Sequence, residues 1–268
     1  MSNKEPEEAL VPEKLLAVDN LRIEIFPDRA TLGRAAAVQA AIVLRQALER
    51  KGTARAIFAA APSQNELLEN LSLAPDIDWN KIIAFHLDEY LGLAGDAPQS
   101  FQTYLKEHLF NLVKPGKVNF LQGAASNPQA ESARYAGLLG EAGVDLACIG
   151  IGENGHIAFN DPPLADFNDP QKVRIVDLDE TSREQQVHDG CFPGLEVVPR
   201  QALTVTIPAI MAAATIICVV PGSTKAKAVY DSLKGPVTPL CPASVLRQHK
   251  AARLFIDRES AALLELVS

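Results

Sequence analysis

Short apolar runs alternate along the chain with longer stretches in which apolar residues recur every three to four positions. The runs cover Leu21–Ile25, Arg55–Ala60, Lys81–Leu87, Leu146–Ile149, Lys172–Leu178, Ala202–Ile207, Thr215–Val220 and Arg253–Ile256. Each has the length of one strand. Leu21–Ile25 and Ala202–Ile207 alternate apolar with polar, as half-exposed strands do. RAIFAA, LACI and TIICVV are almost wholly apolar, as in strands buried on both faces. Helical spacing predicts a long helix from an Asp28 N-cap to about Arg50, with Leu32, Ala35, Ala36, Ile42, Val43 and Ala47 as its apolar face and Lys51-Gly52 as its end. Shorter helices are expected over Glu66–Leu73, Ser100–Leu112 and Glu131–Gly140, after Pro208, and from Lys225 to about Leu233. Strands alternating with helices predict an α/β fold: a doubly wound, mostly parallel sheet flanked by helices on both faces. Residues 1–15 are polar and acidic with two prolines and read as a disordered tail. No internal repeat or composition break follows, so residues 16–268 are read as a single domain.

Composition narrows the function classes. Hydrophobic residues make up 47% and charged residues 22%, the balance of a soluble globule. A net charge of −8 argues against nucleic acid as a partner, though not against an anionic small molecule held in a local basic pocket. Cys148, Cys191, Cys218 and Cys241 form no C-x-x-C pair, and Cys148 and Cys218 sit in apolar runs, as core thiols do. No signal peptide or run of spanning length is visible, so the expectation is a cytoplasmic protein that does not enter a membrane.

The candidate chemistry lies in the loops that follow strands. Ala61-Pro62-Ser63-Gln64-Asn65 and Pro221-Gly222-Ser223-Thr224-Lys225 each join a strand to a helix, which places hydroxyl, amide, ammonium and backbone N–H groups where an anion binds. Asp88-Glu89 put two carboxylates at a strand's end, where one or both should face a site. Gly150-Ile151-Gly152-Glu153-Asn154-Gly155 is followed by His156, Asn160, Asp161 and two prolines. Gly150, Gly152 and Gly155 also satisfy G-x-G-x-x-G, with Asp177 where a ribose-binding acid would lie. That fingerprint must open a helix, and Pro162-Pro163 argue against one. In a parallel sheet these four loops share one rim, so they predict one site.

The residues on that rim resemble those of the glucosamine-6-phosphate deaminase (isomerase) family. The similarity is closest at FHLDEYLGL (Phe85–Leu93) and GIGENGHIAFNDPP (Gly150–Pro163). It is weaker at SFQTYL (Ser100–Leu105), VPRQALTV (Val198–Val205), PGSTKAKA (Pro221–Ala228) and PASVLRQH (Pro242–His249). Together these span about residues 20 to 257. The resemblance implies an aldose–ketose isomerisation ending in loss of ammonia, with no metal or organic cofactor. Asp88 would move the proton between C2 and C1 of the open-chain sugar. His156 would open the ring, assisted by Asn154 and Asp161, and Lys225 would hold the phosphate.

Three departures from the family pattern stand out. Asn154 replaces the Asp of many relatives, and Asp161 is one methylene shorter than the usual Glu, which would loosen its contact with His156. The Gly-Gly-Thr-Pro phosphate loop is missing from Ala59–Asn65, leaving Ser63, Gln64 and Asn65 to serve, with Arg183 as the candidate phosphate arginine. A 6-phosphogluconolactonase or another sugar-phosphate isomerase is the alternative enzyme, the former family typically carrying D-E-R where Asp88-Glu89-Tyr90 stands. A non-catalytic sugar-phosphate sensor is the alternative of another class; such regulators carry an N-terminal helix-turn-helix, and only about 20 residues precede Leu21. The choice between gluco and galacto substrate, a homo-oligomer and an effector all stay open.

Overall fold

The computed structural model describes residues 10–264. Its strands are β1 (Lys14–Val18), β2 (Leu21–Phe26), β3 (Ala54–Phe58), β4 (Ile82–His86), β5 (Asp88–Tyr90), β6 (Lys117–Val118), β7 (Leu146–Ile149), β8 (Val173–Asp177), β9 (Gln201–Val205), β10 (Thr215–Val220) and β11 (Ala252–Asp257). Its helices are α1 (Arg29–Lys51), α2 (Asn65–Ser72), α3 (Phe101–Leu105), α4 (Asn111–Val113), α5 (Pro128–Gly140), α6 (Glu180–His188), α7 (Ile207–Met211) and α8 (Ala226–Lys234). An eight-stranded sheet runs in the order β1-β2-β11-β10-β7-β3-β4-β6. Every pairing in it is parallel except β1 with β2. The polar tail predicted over residues 1–15 lies in part outside the described residues; Lys14 and Leu15 already belong to β1, paired with Ile25 and Glu24.

Alternate residues of the central strands face opposite layers. Phe58, Cys148, Ile217 and Phe255 pack beneath α1 and α2, whereas Ile57, Ile149, Ile216 and Leu254 pack beneath α5, α7 and α8. Asp28 caps α1 by accepting from Thr31 N at 2.7 Å, and Gly52 ends it at φ 73°, a left-handed conformation that glycine adopts without strain. The buried face of α1 is richer in alanine than the large apolar residues suggest. Ala40, Ala41 and Leu44 are buried, while Ile42 and Val43 are only half-buried. Small side chains let the helix lie close to the sheet, and that closeness excludes the bulkier neighbours from the interface.

Two features of the topology set the site. The chain leaves β3 towards β4 and β6, returns through α5 to β7 on the other side of β3, and continues outward to β10. The loops after β3 and β7 therefore diverge and leave a crevice at the carboxyl ends of these strands. Above that rim lies a second sheet, β5-β9-β8, antiparallel throughout. Lys172–Leu178 and Ala202–Ile207, read from the sequence as members of one doubly wound sheet, supply β8 and β9 of this smaller one. Among the described residues no helix is long and apolar enough to cross a membrane.

Candidate active site

The crevice is a cleft open at its mouth. Ala61 and Ser63 from the loop after β3 line it, with Gly150, Gly152 and His156 from the loop after β7, Asp88 from β5, and Gln185 and Gln186 from α6. No helix follows the glycines of the β7 loop, so they do not form a dinucleotide fingerprint.

Strand alternation separates the two adjacent carboxylates. Glu89 is fully buried and serves the fold: it accepts from Ser100 Oγ at 2.7 Å, Tyr90 N at 3.0 Å, Gln102 N at 3.1 Å and Phe101 N at 3.2 Å. It thereby satisfies the free N–H groups that open α3. Asp88 faces the cleft, is 7% exposed, and its carboxylate accepts no hydrogen bond from a described residue. Burial, and then the nearby Glu89 and Asp161, push its carboxyl well above the usual range.

His156 is held from behind. Its Nδ1 lies 3.0 Å from Asp161 Oδ1 and 2.8 Å from Ser182 Oγ, and Ser182 Oγ also contacts Asp161 Oδ1. The shorter Asp161 therefore does not loosen the pairing. Asn154 Nδ2 donates to Asp161 Oδ1 at 3.1 Å, and Asn154 Oδ1 accepts from His156 N at 3.0 Å, so Asn154 ties the acid to the loop that carries the imidazole. Burial disfavours ionisation of Asp161, but His156, Ser182 and Asn154 outweigh it and hold the carboxyl below its usual range. Gly152 makes room for the ring. A Cβ there would fall 2.1 to 2.4 Å from the Cε1, Nε2 and Nδ1 atoms of His156. The loop is anchored to β9: Phe159 N donates to Thr204 Oγ1 at 3.0 Å, and Asn160 Nδ2 donates to Val205 O at 2.9 Å.

The candidate anion groups divide. Lys225 is buried on a short turn before α8; its Nζ makes no hydrogen bond with a described residue and lies 3.9 Å from Glu153 Oε1. Burial lowers its affinity for a proton, against the opposing pull of Asp189 and Glu153. Ser63 reaches the cleft. Gln64 donates to Ser63 Oγ at 3.2 Å and Val219 O at 3.3 Å, with its own Oε1 buried and without a hydrogen-bond partner among the described residues. Asn65 is engaged by the Tyr104 hydroxyl. Neither Lys225 nor Arg183 is among the residues that line the cleft; the Arg183 Nη2 donates to Leu195 O at 2.6 Å and Val198 O at 3.0 Å. Among the described residues no group of three or more His, Cys, Asp or Glu side chains is arranged to hold a metal ion.

A family model described as glucosamine-6-phosphate isomerases/6-phosphogluconolactonase matches residues 27–256. The chain belongs to this family. A glucosamine-6-phosphate deaminase of Lactobacillus delbrueckii subsp. bulgaricus is 34% identical over 246 residues, covering 91% of this chain and 100% of the relative. One of Exiguobacterium sibiricum is 38% identical over 188 residues, covering 70% of this chain and 73% of the relative. A solved monomeric glucosamine-6-phosphate deaminase superposes with a TM-score of 0.83 at 30% identity, covering 90% of this chain and 99% of its own. A 6-phosphogluconolactonase from Shewanella baltica, at 20% identity and a TM-score of 0.73, shares the fold.

Within this glucosamine-6-phosphate isomerase/6-phosphogluconolactonase fold, α6 supplies what the sequence reading overlooked. Ser182, Gln185 and Gln186 are buried and share one helix face at spacings of three and four residues. Gln185 Oε1 accepts from Glu153 N at 2.9 Å, tying α6 to the glycine loop, while the Gln186 amide makes no hydrogen bond with a described residue. Arg183 is one position on from Ser182, about 100° around the helix, and so points elsewhere. The signal was present as a polar stripe at helical spacing, but polar stripes ordinarily face water.

Proposed function

We propose that this chain converts a hexosamine 6-phosphate and water into a ketose 6-phosphate and ammonia, with glucosamine 6-phosphate giving fructose 6-phosphate as the leading pair. The observation that carries this reading is the Asp88 carboxylate, buried and accepting no hydrogen bond from a described residue, in the same cleft as an imidazole held in place by Asp161. A C2 proton is weakly acidic, so its removal needs a base whose proton affinity has been raised; burial of Asp88 does that. His156 takes the O1 proton of the cyclic sugar and returns it to the ring oxygen, opening the ring. Asp88 then removes the C2 proton, and the electron pair forms a C1–C2 double bond as O1 takes a proton from the substrate's own 2-ammonium group. Return of the proton at C1 leaves an imine at C2, and addition of water there releases ammonia.

The phosphate sits remote from these atoms, where its binding energy positions the reacting carbon. Lys225, whose buried ammonium makes no hydrogen bond with a described residue, and the Ser63 hydroxyl, which lines the cleft, are assigned to that end of the substrate. Cys148, Cys191, Cys218 and Cys241 are all free thiols, which suits a cytoplasmic setting. Ammonia release measured across glucosamine, galactosamine and mannosamine 6-phosphates tests the reading. At least one should release ammonia with a stoichiometric ketose phosphate. Release from none of them, with hydrolysis of 6-phosphogluconolactone instead, overturns it.

A further inference from the structure

The proton count around His156 singles out Ser182, which no family motif named. Ser182 is 1% exposed, and its hydroxyl carries one proton. Asp161, ionised, can only accept, so the close Ser182–Asp161 contact requires that the hydroxyl donate to Oδ1. The Ser182 oxygen then has only lone pairs left for its 2.8 Å contact with His156 Nδ1, and Asp161 Oδ1 at 3.0 Å from the same nitrogen is likewise an acceptor. Both contacts are satisfied only if the proton is on Nδ1. We propose that Ser182 is a positioning residue that, with Asp161, fixes His156 as the Nδ1–H tautomer and presents the Nε2 lone pair to the cleft.

This deepens the reading above, since a base at Nε2 is what ring opening requires. Asp161 alone leaves the imidazole one acceptor and freedom to turn about it; a second acceptor on a different element removes that freedom. Ser182 comes from α6 and Asp161 from the β7 loop, so the ring is clamped between two elements.

The test uses the whole enzyme with nitrogen-15-labelled histidine. Proton-coupled spectra of the neutral imidazole should show a protonated Nδ1 and a bare Nε2. In Ser182→Ala the two forms should mix, and kcat on the cyclic hexosamine 6-phosphate should fall roughly 10- to 100-fold, the range for losing a hydrogen bond within a charged network, with little change in KM. Ser182→Thr, which keeps the hydroxyl, should restore tautomer and rate. A protonated Nε2 in the wild-type protein overturns the proposal without any variant, whether or not Ser182→Ala folds. So does a Ser182→Ala enzyme with wild-type kcat and an unmixed Nδ1–H signal. If the wild-type protein releases no ammonia, the functional reading fails, while the tautomer spectra still decide the role of Ser182.

Discussion

Replacing Asp88 by Asn should abolish exchange of the substrate C2 proton with solvent deuterium while making the protein more stable at neutral pH. An unfolded Asp ionises near 3.8, whereas the folded cleft holds Asp88 neutral to a much higher pH because of burial and the charges of Glu89 and Asp161. Between those two values the folded chain binds one proton more than the unfolded chain. Stability contributed by Asp88 is therefore fully present below 3.8 and is lost as pH rises towards the folded value, by about 1.4 kcal/mol per pH unit. With the residue 7% exposed, solvent does little to soften that slope. Asn is close in shape and never charges, so the variant escapes the loss. Thermal melts of both proteins from pH 4 to 8 would read the difference, at roughly 2–4 °C in Tm for each kcal/mol. The gap in favour of Asp88→Asn should widen with pH and then level off. kcat/KM of the wild type should climb over the same interval, since the base works only when ionised. A Tm difference independent of pH would refute the reasoning: Asp88 would then be ionised at little cost, and burial could not be the source of its basicity.

Other substitutions separate chemistry from architecture. Gly152→Ala should cost about 10²–10⁴ in kcat while the fold persists, because the new Cβ occupies the space of the His156 ring; full activity would mean that the ring lies elsewhere. Glu89→Ala should lower stability by about 2–3 kcal/mol in urea melts by stranding the N–H groups at the start of α3, and an unchanged midpoint would show that water replaces the carboxylate there. Arg183→Ala should lower stability by about 1–2 kcal/mol and leave KM for the phosphorylated sugar unchanged, whereas a tenfold rise in KM at constant stability would return Arg183 to the phosphate.

The core strands β3, β7, β10 and β11 were legible because each is a short, mostly apolar run, and a buried parallel strand needs little more local than that. β1 was not, because Lys14-Leu15 adjoin an acidic, proline-containing segment and their strand character comes from pairing with β2. The small sheet was missed for a related reason: β5 pairs with β9 across more than a hundred residues, and no local pattern reports which sheet a strand joins. In the site, Asp88 and His156 stood out because a strand end and a glycine turn mark them, whereas Asn154 and the role of Asp161 came from the family resemblance. The outcome for the Asp88-Glu89 pair depended on which way β5 faces. Ser182, Gln185 and Gln186 were hidden because buried polar residues on a helix look like solvated ones until the neighbouring loop is in place.

The anchoring of both reacting groups to β9 has a mechanical consequence. Asp88 is registered against Thr204, and Thr204 Oγ1 and Val205 O also fasten the loop that carries His156. The two groups thus share a single datum, two adjacent residues long. A displacement of β9 carries both the same way and leaves the gap between base and imidazole little changed. Length changes at the exposed turn over residues 124–127, which lies between the two groups in sequence, do not enter that dimension. Loss of one residue from 203–205 does, because the period-two register would turn the Thr204 hydroxyl to the opposite face and release the loop.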